Sequence, residues 1–120
     1  MKKYLIQNAP FIVPTMDGKL IEEHHGLVST KNREISIAHM IAPPNWSEPY
    51  QTPEFDEYTY IIKGKKQFII EGEVVILEAG QSIKIEKNTR VQYSNPFAAE
   101  CEYIAICQPA FDFTKVNREE

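Results

Sequence analysis

Short segments in which apolar and polar residues alternate follow one another along most of the chain, with turn residues between them. Such alternation is typical of β-strands with one buried face, and a lone Gly between two such segments, as at Gly72, indicates a hairpin. Residues 15–30 are compatible with either a strand or a short helix. The pattern predicts an all-β sandwich or barrel, with strands at residues 34–42, 57–62, 67–71, 73–77, 82–86, 90–94 and 100–108.

The length of the chain, 120 residues, predicts a single domain spanning residues 1–120. We expect residues 34–108 to form the barrel and residues 1–33 to contribute N-terminal strands and connections. Residues 109–120 then form a C-terminal tail. The last residues, Val116 to Glu120, are mostly charged, and we expect this end to be mobile.

The charge balance narrows the class of partner. The formal net charge is −4, which disfavours nucleic acid because phosphate binding needs a surplus of Lys and Arg. No apolar run is long enough to span a membrane, and the start of the chain lacks the long apolar region of a secretory signal.

Cys101 and Cys107 lie in one predicted strand, roughly 20 Å apart, too far for a disulfide. Unpaired thiols suit a cytoplasmic protein, and we expect both to fill core space.

Two spaced sets of residues resemble the motifs of the cupin family. The first cupin motif consists of Gly, five residues, His-x-His, three or four residues, Glu, six residues and Gly. The second consists of Gly, five residues, Pro-x-Gly, two residues, His, three residues and Asn. Without any gap, these motifs fall on Asn45, Gln51, Pro53, Glu57 and Gly64, and on Gly80, Glu86, Asn88, Val91 and Asn95.

Identity with the motifs is kept at Glu57, Gly64, Gly80 and Asn95, and the spacing is kept throughout. The chain is therefore identified as a member of the cupin family, similar to small cupin type 2 proteins and, more weakly, to the EutQ-type cupin of ethanolamine utilisation. The resemblance implies a jelly-roll barrel, also called a double-stranded β-helix. Asn45 and Asn88 replace motif glycines, and Asn tolerates a positive φ better than most residues, so we expect both turns to persist.

The resemblance also implies that most metal ligands are missing. Metal-binding cupins hold Fe, Mn, Ni or Zn with the three motif histidines and the motif Glu, which correspond here to Gln51, Pro53, Val91 and Glu57. Proline and valine side chains offer no donor atom, and Gln is a poor ligand compared with imidazole. We therefore expect neither a metal nor another cofactor. A site rebuilt from His39, Glu57 and one of His24 and His25 is the less favoured alternative.

In the family the motif Glu points into the barrel, so Glu57 is the main candidate for binding or catalysis. If it points inward, strand alternation puts Thr59 and Ile61 inward and Tyr58, Tyr60 and Ile62 outward. Glu57 can act as an acid or base if a partner or burial tunes its pKa, or it can simply fix the Pro-rich loop. The candidate ligand-binding residues are Gln51, Glu57, Tyr93, Trp46 and Arg90, and the candidate catalytic residues are Glu57 and His39.

Each of the other candidates also has a structural interpretation. Tyr93 is either a pocket hydroxyl or plain core packing. Trp46 either closes the pocket or covers the open end of the core. His39 is either a pocket group or a hydrogen-bonded residue of the barrel.

Two functions remain open from the sequence. The favoured one is a metal-independent module that binds a small polar molecule in the barrel. The alternative is an enzyme of isomerase, epimerase or lyase type that uses Glu57 with His39 or Tyr93. The outward set of Tyr58, Tyr60 and Ile62 predicts a homodimer, unless the apolar N-terminal segment covers that patch within one chain.

Overall fold

The computed structural model describes residues 2–119, which form ten strands and one short 3-10 turn at Phe113–Lys115. Within this range no helix has the length and apolarity that a membrane span requires. The strands are β1 (Phe11–Ile12), β2 (Leu20–His25), β3 (Ser36–Ala42), β4 (Trp46–Ser47), β5 (Asp56–Lys63), β6 (Lys65–Ile70), β7 (Glu73–Glu78), β8 (Ser82–Ile85), β9 (Val91–Asn95) and β10 (Cys101–Gln108).

The strands form two antiparallel sheets that face each other. The first sheet has the order β1-β2-β3-β10-β5-β8, and the second has the order β4-β9-β6-β7. Strand β10 lies at the centre of the larger sheet, where Tyr103 is opposite Met40 of β3 and Ile61 of β5. This arrangement is the jelly roll that the resemblance to cupins implies.

Side-chain alternation separates an inner face from an outer face. Thr59 and Ile61 are buried, whereas Tyr58, Tyr60 and Ile62 are exposed by 37%, 49% and 41%. The predicted alternation along β5 is therefore confirmed. The core between the sheets is formed by Ala42, Trp46, Ile61, Phe68, Ile85, Val91, Tyr93, Cys101, Tyr103 and Ala105.

The predicted strands are all present, with ends that differ by at most two residues. In the ambiguous region, residues 20–25 form a strand because they pair with β3. Both cysteines are free and buried, as expected.

The prediction of a mobile C-terminal end is wrong for its described part. Val116 is 1% exposed and packs with Phe55 and Cys107, and the amide of Glu119 donates to the carbonyl of Tyr50. One apolar residue among polar ones is enough to anchor the segment, because its burial removes apolar surface from water. Glu120 lies outside the described residues.

The turns keep the geometry of the motif positions. Asn45 and Asn88 have φ values of 60° and 65°, which confirms that asparagine replaces glycine there without loss of the turn. Gly64 joins β5 to β6 with a φ of 83°, and a Cβ atom there would lie 2.5 Å from the carbonyl oxygen of Glu100. Gly64 is therefore required both by its backbone angle and by its neighbour.

A pair of alanine substitutions separates these two requirements. Gly72 has a φ of 87°, but no atom lies within 4 Å of the place that a Cβ atom would take, so Gly72→Ala should cost only the backbone term, about 1–2 kcal/mol. Gly64→Ala should lower the free energy of unfolding by a further ~1–3 kcal/mol because of the backbone clash. Denaturant unfolding of both variants measures the difference, and equal losses would contradict the steric argument.

Candidate functional site

The two sheets enclose a cavity of about 720 Å³. Its wall on the larger sheet is made of inward residues of β3 and β10, which are mostly small or apolar. These residues are Ala38, Met40, Ala105 and Cys107. The volume and the mainly apolar walls are those of a site for a small molecule, in which a few polar groups fix the orientation of the ligand.

Glu57 and Tyr93 meet inside this cavity. The Tyr93 hydroxyl donates a hydrogen bond to Oε1 of Glu57, although the two residues belong to different sheets. Burial of the Tyr93 hydroxyl, followed by the nearby carboxylate of Glu57, raises the pKa of Tyr93 well above its ordinary value. Tyr93 therefore keeps its proton at neutral pH and is a permanent donor beside an acceptor.

A second polar group in the cavity is centred on Glu48. Gln51 donates its amide to Oε1 of Glu48 over 3.1 Å, and the Lys19 ammonium lies 3.4 Å from Oε2. Arg118 approaches the same carboxylate to 3.7 Å. Burial opposes the charge on Lys19, but the surrounding Tyr103 and Glu48 outweigh it and hold the pKa of Lys19 above its ordinary value. This group places two cations, Lys19 and Arg118, beside the single carboxylate of Glu48.

Lys66 is a further charged residue of the cavity wall, and it is only 2% exposed. It alternates inward with Phe68 along β6. Its ammonium nitrogen lies 3.7 Å from the ring centroid of Tyr103 and 4.7 Å from that of Tyr93. The cavity thus contains a cation next to aromatic faces.

Three of the predicted ligand-binding residues line the cavity, and two do not. Gln51, Glu57 and Tyr93 are in its wall. Trp46 is buried in the core instead, where its Nε1 donates to Asp17 over 2.7 Å. Arg90 is at the surface.

The placement of Arg90 follows from its contacts. Its guanidinium donates two hydrogen bonds to Glu119, at 2.8 and 2.9 Å, and lies 3.8 Å from the Tyr50 ring centroid. It precedes β9, so the alternation that sends Val91 inward turns Arg90 away from the barrel.

His39 does not line the cavity, and the suggestion that it faces the pocket needs correction. On β3 the inward residues are Ser36, Ala38 and Met40, which leaves His39 on the outer face. There its two ring nitrogens meet the carboxylates of Glu22 and Glu102 at 2.7 and 2.6 Å. The hydrogen bond with Glu102 is the main cause that raises the pKa of His39.

The side chains at the cupin metal positions do not fit a metal ion. Pro53 and Val91 carry no donor atom, and the amide of Gln51 is already engaged by Glu48. His24 and His25 do not line the cavity either, so no histidine joins Glu57 there. Among residues 2–119, no group of three or more His, Cys, Asp or Glu side chains is placed to hold a metal.

Seven charged residues of the cavity wall were not predicted from the sequence: Asp17, Lys19, Glu23, Glu48, Lys66, Asp112 and Arg118. For Lys66 a signal exists, since it precedes the buried Phe68 by two residues and strand alternation puts both on one face. It was overlooked because lysine is rarely buried without a partner. No comparable signal exists for the other six: Glu23 lies on β2, in the region whose structure the sequence leaves open, and the rest lie in loops or in the C-terminal segment.

The double-stranded β-helix with a cavity between its sheets is the fold of the cupin class. Residues 38–107 match the family model Cupin_2, described as a cupin domain. The match covers more than half of the chain, and the protein therefore belongs to the cupin family, as its sequence predicts.

Several proteins resemble this cupin. Endoribonuclease YbeY of Myxococcus xanthus is 40% identical over 100 residues, covering 83% of this chain and 34% of that protein, so the chain spans about a third of its curated relative. A structure of a Streptomyces PAC13 variant with uridine matches with a TM-score of 0.78 and 15% identity, covering 100% of this chain and 93% of that one. The Clostridium difficile EutQ protein matches with a TM-score of 0.67 and 21% identity, covering 85% and 73%. These two structures show a shared fold.

The side chains at the cupin metal positions lead to a prediction about the metal content of the purified protein. We expect the purified protein to carry far less than one equivalent of transition metal in the barrel, as measured by elemental analysis. The variant combining Gln51→His, Pro53→His and Val91→His restores the family's ligands around Glu57 and is expected to take up about one metal ion per chain. One equivalent in the parent that survives replacement of His24 and His25 by alanine would contradict the prediction.

Proposed function

We propose that this cupin binds a small polar molecule in its barrel cavity without the help of a metal ion. The observation that carries the proposal is the hydrogen-bonded pair of Tyr93 and Glu57 inside a largely apolar cavity. A permanent donor beside an acceptor in such surroundings fixes the orientation of a ligand that carries hydroxyl or carbonyl groups. Similarity to the PAC13 structure with uridine supports uridine as a first probe.

A second candidate function rests on the same pair. An enzyme of isomerase, epimerase or lyase type needs a base that takes a proton from carbon and an acid that supports the neighbouring oxygen. Glu57 is the candidate base and Tyr93, which keeps its proton, the candidate acid. His39 takes no part, because it lies on the outer face. Probes recovered from D₂O with deuterium on carbon would favour the enzyme, and unchanged probes would favour the binding module.

We also propose that two chains pair through the outer face of the larger sheet. Tyr58, Tyr60 and Ile62 are exposed there, beside outward residues of β10. The N-terminal segment does not cover this patch, because it adds β1 to the far edge of the same sheet, next to β2. Its apolar residues Tyr4, Leu5 and Ile6 are themselves exposed. A contiguous apolar patch of this kind is typical of a contact surface between copies of a protein.

The binding proposal is tested by Glu57→Gln, which keeps the shape of the side chain and removes its charge. Loss of a hydrogen bond to a charged group weakens binding by about 1.5–3 kcal/mol, so affinity for uridine should fall roughly ten- to a hundredfold. Calorimetry and the ring resonances of Tyr93 measure the change. Glu86→Gln removes the same charge from the surface and should leave affinity unchanged. If Glu57→Gln binds as the parent does, Glu57 has only a structural role.

The dimer proposal is tested by light scattering at tens of micromolar protein. The parent is expected to run near twice 13.9 kDa, and Tyr60→Glu should return it to the monomer mass because one substitution acts on both copies. Val74→Glu is the matched control, since Val74 is exposed on the outer face of the other sheet. A parent that runs as a monomer, or a dimer split only by Val74→Glu, would refute pairing through the larger sheet.

A further inference from the structure

Lys66 crosses the interior of the barrel from one sheet to the other. It starts on β6 in the smaller sheet, and its ammonium lies over Tyr103, which belongs to β10 in the larger sheet. Tyr93 and Phe68 complete the surroundings, with ring centroids 4.7 and 5.1 Å from the nitrogen. The charge is therefore placed in the cavity by a rigid strand and surrounded by aromatic groups.

The two buried lysines of the cavity differ in their pairing. Lys19 has a carboxylate partner in Glu48, whereas no carboxylate of residues 2–119 lies within ion-pair distance of Lys66. The aromatic faces attract the ammonium but accept none of its three N–H groups in a conventional hydrogen bond. A buried cation without an anionic partner is costly, so its presence calls for an explanation.

The acidic groups of the cavity do not supply the missing partner. Glu48 is engaged by Lys19 and Gln51, and the carboxylate of Glu23 accepts from the amides of Val28 and Ser29. Glu57 accepts from Tyr93. None of these carboxylates lies within ion-pair distance of Lys66, so its ammonium is free to donate to an acceptor that enters the cavity.

We propose that Lys66 anchors an oxyanion, so that the ligand of this cupin carries a carboxylate or phosphate group beside its polar hydroxyls. The inference rests on the proposed function, since it assumes that the cavity is the binding site. An oxygen of the anion accepts a hydrogen bond from the Lys66 ammonium, while Glu57 accepts a hydrogen bond from a hydroxyl of the same ligand. The ammonium provides the kind of fixed positive charge that a metal ion provides in a metal-binding site.

A purely structural role for Lys66 makes a different prediction about stability. If the charge serves a ligand, Lys66→Met keeps the length of the side chain, removes a buried charge and should leave the melting temperature of the free protein unchanged or higher. Lys65→Met is the matched control, because Lys65 is the exposed neighbour on the same strand. A fall in melting temperature with Lys66→Met but not with Lys65→Met would overturn the proposal in favour of a structural lysine.

The binding test uses molecules that differ only in an oxyanion. Ethylene glycol is compared with glycolate, uridine with uridine 5′-monophosphate, and inorganic phosphate is measured alone. The ring resonances of Tyr93 and Tyr103 and calorimetry report binding in the parent, in Lys66→Met, in Lys66→Arg and in Lys65→Met. The carboxylate and phosphate arms distinguish the two sources of the anion.

We expect an oxyanion-bearing member to bind about tenfold or more tightly than its neutral partner in the parent. The preference should disappear in Lys66→Met and persist in Lys66→Arg and Lys65→Met. Equal binding of both partners by the parent, or a preference that survives Lys66→Met, would overturn the oxyanion anchor and leave the proposed function standing. If no probe moves the cavity resonances of the parent, the proposed function fails as well.

Discussion

Strand β10 is hydrogen-bonded on both sides, to β3 and to β5, and the alternation of its side chains determines which face of the larger sheet looks into the barrel. Tyr103, Ala105 and Cys107 point inward, so the residues directly opposite them do so too. Glu57 lies opposite Cys107, which brings its carboxylate into the cavity, and His39 lies opposite Ile104, which puts it outside. A shift of one residue in this pairing would exchange the two faces and remove the site.

Several charged side chains lie inside the barrel, although most of its walls are apolar. Each buried charge needs a partner, and most have one within the chain: Glu48 with Lys19, Glu23 with loop amides, Glu57 with the Tyr93 hydroxyl. The hydrogen bond between Tyr93 and Glu57 connects the two sheets inside the barrel. Lys66 is the exception, because no carboxylate of the described residues lies within ion-pair distance of its ammonium.

Much of the fold and part of the site follow from sequence alone. Strands β6, β7 and β9, the inward set on β5 and the two asparagine turns were predictable because alternation and backbone angle are local properties, whereas the two-residue strand β4 was not predicted. The sequence left open which face His39 occupies, because β3 is apolar on both faces, with Ile37 and Ile41 outward and Ala38 and Met40 inward. Arg118 and Lys19 join the cavity only through the packing of the C-terminal segment and an N-terminal loop, which depend on contacts distant in sequence.

The position of β10 also bears on how the chain acquires its structure. The strand at the centre of the larger sheet is the last one in the sequence, so β3 and β5 are both synthesised well before the strand that joins them. Until residues 101–108 are available, each of them presents an unpaired edge, which is a template for pairing with other chains. Contacts of such long range close slowly, because the entropy of a large loop is lost before any bond is gained. During synthesis β3 and β5 are therefore both present before β10, the strand that pairs with each of them. Aggregation competes with folding during this stage.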